Sequence, residues 1–492
     1  MARAGYALST PAPGRVELDP EVLWQALTEV VTRLARRARR RGLRIAAMAS
    51  SVSGDEAVML DGEGTPIGPA IMALDTRAAD AAQRWAHAAG AERIYRITGL
   101  PVHPAHPLIH LLWLRQNEAQ RYARIARVLC WEEYLAVRLG LPAVSDPSVA
   151  ARTMAWDVGA GSWSSDLLDR AVVPLRLFPE VRPSGTVIEE IPAPAADALS
   201  LPASVSLVTG GLDQAMATLG AGVTDPDQAM IGTGSWEALT VLTATSPANT
   251  APLRETGIAL GPFVLPGRLA AMATQAGGGS LVSWLRDLLA PGRSIGSLLR
   301  LAPDRPTQLL VMPHVEGSYS PWMDPASRAA IAGLSLETTR GGLVRGVLEG
   351  ISFELRLNLE RIEAAGIAVS ELRCTGGGAR SRPWVQLKAD ILDRPMTLVD
   401  AVENGAFGAA ILAGAGIGLF PSAEAAARDL VRPLVTIEPR PSVAARYAEI
   451  FGRYRELYPA FRSARATAAP PGAGEPSDGT AGAPARSRTR RS

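Results

Sequence analysis

Apolar residues recur along this chain at two alternating spacings, one helical and one extended. In "ELDPEVLWQALTEVVTRLARRARR", Leu23, Leu27, Val30, Val31 and Leu34 return every three or four residues, which predicts a helix with one apolar face. Asp19 stands at its N-cap and Pro20 at its first position, where the missing N–H costs nothing. "LRIAAMASSV" reads as a strand, "PAIMALDTR" as a second strand ending in Asp75, and "RAADAAQRWAHA" as a helix. Residues from about 100 to 200 read as mostly helical, with proline-rich joints.

A second alternation begins at "VSLVTGG" (Val205–Gly211), a strand, with "DQAMATLGA" as the helix behind it. "AMIGTGSWEALTVL" predicts two strands joined by a turn of small residues. The helix "GGSLVSWLRDLL", the strand "TQLLVMPH" and a long helix from about Thr338 to Ala365 come after it. Then come the strand "ELRCTGGG", the helix "SRPWVQLKADIL", the strand "PMTLVD" and the helix "GAFGAAILAGAG". Repeated strand–helix alternation predicts an α/β chain. A boundary near Gly222 divides it into an N-terminal domain, 1–222, and a C-terminal domain, 223–462. Residues 463–492, rich in Ala, Gly and Pro, are expected to form a disordered tail.

Composition narrows the classes. Among 492 residues, 47% are hydrophobic and 20% charged, the balance of a globular chain with a large core. A formal net charge of +2 gives no reason to expect nucleic acid or an anionic membrane as partner. No apolar run reaches the roughly 20 residues of a membrane span. The opening "MARAGYALSTPAPGR" lacks the apolar core of a signal peptide, and Cys130 and Cys374 form no disulfide framework. A reducing, cytoplasmic setting is expected.

The candidate chemistry lies in three turns. Asp213 stands behind Gly210-Gly211 at a strand-to-helix junction, where it serves either as an N-cap or as a general base at a cleft. Gly232-Thr233-Gly234-Ser235 is a plain hairpin turn or a loop whose backbone approaches phosphates closely. "CTGGGARSRPWVQLKAD" holds glycines that form a tight turn or admit a nucleoside. A lysine-based phosphate loop is excluded, because the only lysine, Lys388, lies in a helical pattern. "GAGIGLF" lacks dinucleotide-fingerprint spacing, which argues against a nicotinamide oxidoreductase. His103, His106 and His110 have ligand-like spacing, but Pro104 and Pro107 interrupt any continuous helix, so no metal site is assigned. Trp24, Trp113 and Trp284 are expected in the core.

Together "GGLDQAMATLGAG…IGTGSWEAL" and "GGGARSRPWVQLKADILDRPMTLVDAVENGAFGAAILAGAGIG" resemble the FGGY family of carbohydrate kinases, over residues 5 to 460. "LDGEGTPIGPAIMALDTRAADAA", "SDPSVAARTMAWD" and "LVRGVLEGISFELR" support the likeness. It implies a two-domain actin/hexokinase-like fold with an interdomain cleft, and ATP-dependent phosphorylation of an open-chain sugar, sugar acid or polyol, with Mg²⁺. It implies that Asp213 is the base and that Asp55, Glu56, Asp75 and Gln214 contact the substrate. Gly232, Thr233, Gly234, Ser235, Gly279, Gly377, Gly378 and Ser381 would contact the nucleotide. A small-molecule substrate is the implied partner, and the resemblance leaves room for a homodimer.

The family also opens with an Asp-x-Gly-Thr hairpin that contacts Mg²⁺ and the γ-phosphate. "ARAGYALSTPAPGRVELDP" matches the family's segment just past that hairpin, so either a start codon placed too far downstream or a lost hairpin is expected. Residues 1–492 alone are accordingly expected to fold less well and to have little kinase activity. The alternative is an inactive relative that binds sugar or nucleotide.

Overall fold

The computed structural model describes residues 1–400 and 403–468. Helix α1 (Pro20–Arg40) starts as expected: the Asp19 carboxylate accepts the Glu21 N–H at 2.9 Å, and Pro20 occupies the first position. A strand, β1 (Ala47–Val52), comes after it. Helix α2 (Pro107–Asn117), strand β2 (Val187–Glu190) and strand β3 (Ser206–Leu212) come next. β3 pairs parallel to β1 and antiparallel to β2 in a three-stranded sheet. The apolar face of α1 covers this sheet, with Val31 and Ala35 packed in one cluster with Ile188 and Leu207. Burial of that stripe, rather than intrinsic propensity, holds the helix in place.

β3 leads directly into helix α3 (Asp213–Gly220). Beyond it lies a seven-stranded mixed sheet built from β4 (Gln228–Thr233), β5 (Glu237–Thr243), β6 (Ala259–Pro262), β7 (Leu269–Gln275), β8 (Glu371–Thr375), β9 (Met396–Val399) and β10 (Pro433–Ile437). Its spatial order is β6-β7-β5-β4-β8-β9-β10, with β4, β8 and β9 parallel and the outer pairs antiparallel. The same half of the chain supplies helices α4 (Gly279–Leu289), α5 (Arg340–Ala364), α6 (Arg382–Leu392), α7 (Asn404–Gly416) and α8 (Pro441–Tyr454). α5, α6 and α8 share one apolar cluster with this sheet. Two buried charged groups on α5 are partnered through one hydroxyl: the Arg345 guanidinium donates to the Tyr447 hydroxyl at 2.8 Å, and that hydroxyl donates to Glu349 at 2.8 Å.

α7 leaves the seven-stranded sheet and packs against α3, β1 and β3. Two glycines permit this contact. A Cβ on Gly220 would lie 2.0 Å from the Asn404 carbonyl oxygen, and one on Gly408 would lie 2.0 Å from the Met216 carbonyl oxygen. The helices therefore meet backbone to backbone, and one apolar cluster runs through Met216, Leu219, Ile411 and Leu412.

Several expectations are corrected. "PAIMALDTR" forms only the two-residue strand Ala70–Ile71, leaving Asp75 in a turn. "TQLLVMPH" contributes Leu310–Met312 to a separate two-stranded sheet with Ala330–Ala332, because α5 lies between it and the seven-stranded sheet. Trp284 lies 52% exposed on α4, since the apolar face of that helix is formed by Leu281, Val282 and Leu285. Residues 463–468 continue the helix Leu457–Ala468 rather than opening a tail, and the remaining expected tail, 469–492, lies outside the described residues. Among the described residues no helix is long and apolar enough to cross a membrane.

Gly408→Val should destabilise the fold by on the order of 3 kcal/mol, because the backbone contact cannot yield. Gly452→Ala, at a helical position with open space around it, should stabilise by about 0.5–1 kcal/mol. Urea denaturation midpoints at constant m-value measure both.

Candidate active site

Asp213 stands at the first turn of α3, and the strand before it is fixed by buried side chains. The Gly210 N–H donates to the Glu132 carboxylate, and the Leu212 N–H donates to the Ser148 hydroxyl at 2.9 Å. Ser148 in turn donates to Asp146, which also caps Pro147–Ala150. Gly210 is required because a Cβ would lie 1.9 Å from the Ser50 carbonyl oxygen of β1. The glycine pair ahead of Asp213 thus serves strand packing, and the carboxylate is delivered at a fixed strand end.

Two cavities meet at this residue. One, of about 280 Å³, is lined by Asp55, His103, His106, Arg152 and Tyr319, among others. The second, of about 430 Å³, is lined by Gly232, Gly234, Thr375, Gly376 and Asn404, among others. Asp213, Gln214 and Trp236 line both. The Trp236 and Tyr319 rings pack with centroids 4.5 Å apart and form an aromatic wall.

The two carboxylates of the smaller cavity differ in environment. Arg152 grips Asp55 with a fork, Nε to Oδ1 at 2.9 Å and Nη2 to Oδ2 at 3.0 Å, and His106 Nδ1 lies 3.3 Å away. Burial raises the Asp55 pKa, but the Arg152 charge and the His106 contact outweigh it and hold the group well below the usual carboxylate range. Asp213 has no cationic partner; its Oδ1 accepts the Gln214 N–H at 2.6 Å. Desolvation between the cleft walls raises its pKa against that hydrogen bond, and the nearby Asp55 charge adds to the rise. Burial pushes the His103 pKa down to about 4, so its ring is neutral at neutral pH.

The other residues expected at the acceptor separate. Gln214 is in place, its Nε2 3.4 Å from Thr274 Oγ1 and its Oε1 buried without a partner. Glu56 lies behind the cavity wall, accepting from Ser53 Oγ and from the Ala73 N–H. Burial pushes its pKa up to about 7. Its role is support of Ser53 and Ala73, which do line the cavity. Asp75 is removed from the cavity altogether: it accepts the Val16 N–H at 2.7 Å and pairs with Arg77, which also reaches Glu17. That carboxylate ties the short strand Glu17–Leu18 to the turn after its partner strand, Ala70–Ile71.

The small-residue turns also divide. Gly232 and Gly234 line the larger cavity, but the Thr233 side chain points inward. Its hydroxyl donates to Glu237 at 2.9 Å and accepts from Lys388 Nζ at 2.5 Å. Lys388 and Glu237 form an ion pair, 3% and 1% exposed, and Lys388 lies 4.9 Å from the centre of the Trp384 ring. The hydroxyl expected from Thr233 is instead offered by Thr375, which lines the cavity and makes no side-chain hydrogen bond among the described residues. The Gly279 N–H donates to the Gly234 carbonyl at 2.7 Å, and Ser280 donates to the Ser235 carbonyl, so Ser235 and Gly279 brace the turn.

In the third turn Gly376, at φ +84°, lines the cavity, and a Cβ there would lie 2.6 Å from the Thr233 carbonyl oxygen. Gly378 packs on Thr233, Gly377 faces open space, and Ser381 precedes α6; none of the three lines either cavity. Asn404, at the start of α7, is 8% exposed with both carboxamide atoms unpartnered, and it lines the larger cavity. Nothing in the local sequence pattern singles out Arg152, Thr375 or Asn404, because each reaches its cavity only through tertiary packing. Among the described residues no group of three or more His, Cys, Asp and Glu side chains could hold a metal ion.

Residues 1–220 match the N-terminal domain, and 229–417 the C-terminal domain, of the FGGY family of carbohydrate kinases. The chain belongs to that family. It is a carbohydrate kinase, acting by ATP-dependent phosphorylation of a sugar or polyol. It is similar to a xylulose kinase of Lactococcus lactis, 28% identical over 92% of this chain and 91% of that protein. It is also similar to an L-xylulose/3-keto-L-gulonate kinase of Escherichia coli, 27% identical over 92% of this chain and 90% of that one. The crystal structure of xylulose kinase from Rhodospirillum rubrum superposes with a TM-score of 0.83 at 27% identity, covering 93% of both chains. FGGY kinases share the two-domain actin/hexokinase-like fold, and the α/β sheets of this chain conform to it.

Lys388→Met alone should destabilise the kinase by about 3–5 kcal/mol, because it leaves Glu237 charged and buried. Lys388→Met combined with Glu237→Gln should recover most of that loss. Denaturation of the two single variants and the double variant measures the coupling, and additive losses would contradict it.

Proposed function

We propose that the kinase transfers the γ-phosphoryl group of ATP to a hydroxyl of an uncharged open-chain ketose or polyol, with Asp213 as the base. The observation that carries this reading is the position of Asp213 on both cavities at once. The acceptor occupies the smaller cavity and the phosphates the larger. Asp213 takes the proton as the acceptor oxygen attacks the γ-phosphorus, and ADP departs. A carboxylate without a cationic partner, its pKa raised, is a stronger base than Asp55, which the Arg152 fork holds ionised.

The larger cavity suits a triphosphate. Gly232, Gly234 and Gly376 carry no side chains to obstruct it, and Thr375 offers a hydroxyl. The first residues of α3 and α7 both line it, and helix N-termini favour anions. Mg²⁺ in such sites is held by phosphate oxygens and one or two carboxylates; with Asp213 the base, Glu403, the other carboxylate lining this cavity, would hold it. Bound, the ion would neutralise charge on the phosphoryl oxygens.

Charge narrows the acceptor. The smaller cavity carries two carboxylates, Asp55 and Asp213, against the one guanidinium of Arg152, already forked on Asp55. A sugar acid would bring a third carboxylate without an unpaired cation to meet it. The xylulose and glycerol kinases among the relatives are named for uncharged acceptors, and the L-xylulose/3-keto-L-gulonate kinase for one uncharged and one acidic acceptor.

Asp213→Asn should lower kcat by about 10²–10⁴-fold while leaving ATP affinity unchanged, because only proton transfer is lost. In the unsubstituted kinase, kcat/KM should fall as pH drops through the Asp213 pKa, with the break shifted upward from the ordinary aspartate value. Full turnover in Asp213→Asn rules out its role as base. In a substrate panel, xylulose or glycerol should exceed gluconate in kcat/KM by about tenfold or more, the effect of roughly 1.4 kcal/mol of repulsion. A preference for gluconate contradicts the charge reading.

A further inference from the structure

A third cavity, of about 940 Å³, lies apart from Asp213 and is larger than either cavity of the active site. Segments of both domains enclose it: the helix Ala91–Thr98 and residues 156–161 and 181–183 from one side, residues 244–254 and the β6–β7 turn from the other. Its lining carries Arg96, Arg182, Arg254 and Arg268 against a single carboxylate, Glu92. Arg182 is forked on Glu180, and Arg254 touches Glu255. Arg96 and Arg268 have no carboxylate partner among the described residues, and Arg268 Nε is buried without any acceptor. Trp156, 4% exposed, also lines the cavity, and its indole N–H is likewise without an acceptor.

Four guanidinium groups thus face one carboxylate, and two of the four have no carboxylate of their own. A concave surface lined by such cations concentrates anions. Guanidinium groups favour phosphate oxygens in particular, through paired N–H donors. The surrounding walls are well fixed. The Leu260 N–H donates to the Gly99 carbonyl at 2.8 Å, and the Tyr95 hydroxyl donates to the Ile258 carbonyl at 2.7 Å, both across the two domains. Leu100, Pro101 and Ala259, the next residues along these segments, line the acceptor cavity, so the two cavities share a wall.

We propose that this cavity is a second binding site, distinct from the active site, for a small phosphorylated molecule, held by Arg96 and Arg268 between the two domains.

Isothermal titration of the full chain with inorganic pyrophosphate tests the proposal, using the wild type, Arg96→Ser/Arg268→Ser and Arg96→Ser alone. Pyrophosphate should bind the wild type and raise its unfolding temperature. In the double variant its affinity should fall by about tenfold or more, and the thermal shift should disappear, while kinase turnover persists. Arg96 is exposed, so Arg96→Ser alone should weaken binding several-fold without disturbing the fold; it decides the matter if the double variant fails to fold. Equal pyrophosphate affinity in wild type and variants would place the ion at the active site and overturn the proposal, as would the absence of binding to the wild type at millimolar concentration.

Discussion

The contact between α3 and α7 at Gly220 and Gly408 is the constraint on which the active site rests. Each helix begins with a residue that lines the phosphate cavity, Asp213 in one case and Asn404 in the other. Side chains at the two glycines would force the backbones apart and carry those first residues with them. α7 belongs by sequence to the C-terminal domain yet packs on the N-terminal sheet, so a single pair of helices fixes the geometry between the proposed base and the proposed phosphate cavity.

Electrostatic economy at the cleft depends on which carboxylates have partners. Asp55 has its arginine, Asp75 has another, and Glu237 has the only lysine of the chain. Asp213 alone among these four has no cation, and it is the one at the junction of the cavities. Buried or crowded carboxylates ordinarily acquire a partner or lose their charge. A carboxylate kept without one, on a strand end held by Glu132 and Ser148, is poised to accept a proton.

Much of this was legible in the sequence, and the limits have physical causes. The helix expected over Thr338–Ala365 appears as Arg340–Ala364, and the hairpin "AMIGTGSWEALTVL" as β4 and β5, because long periodic runs and small-residue turns are local signals. Asp213 was readable for the same reason: a carboxylate directly after a strand and a glycine pair is a local arrangement. Glu56 and Asp75 illustrate the converse. Proximity in sequence to Asp55 says nothing of which face of a short turn a side chain occupies, and both turn away to satisfy backbone amides. Thr233 failed likewise, because the lysine that claims its hydroxyl is 155 positions away. Arg152 and Thr375 have no signature of their own and become visible only when strand ends converge on the cleft.

A crystal structure of the kinase with a non-hydrolysable ATP analogue and its acceptor bound together tests most directly whether Asp213 joins two substrates. The acceptor oxygen should lie within about 3 Å of the Asp213 carboxylate, between it and the terminal phosphate seated against Gly232, Gly234 and Gly376. An acceptor oxygen held by Asp55 and out of hydrogen-bonding reach of Asp213, or phosphates seated away from those glycines, would contradict the assignment.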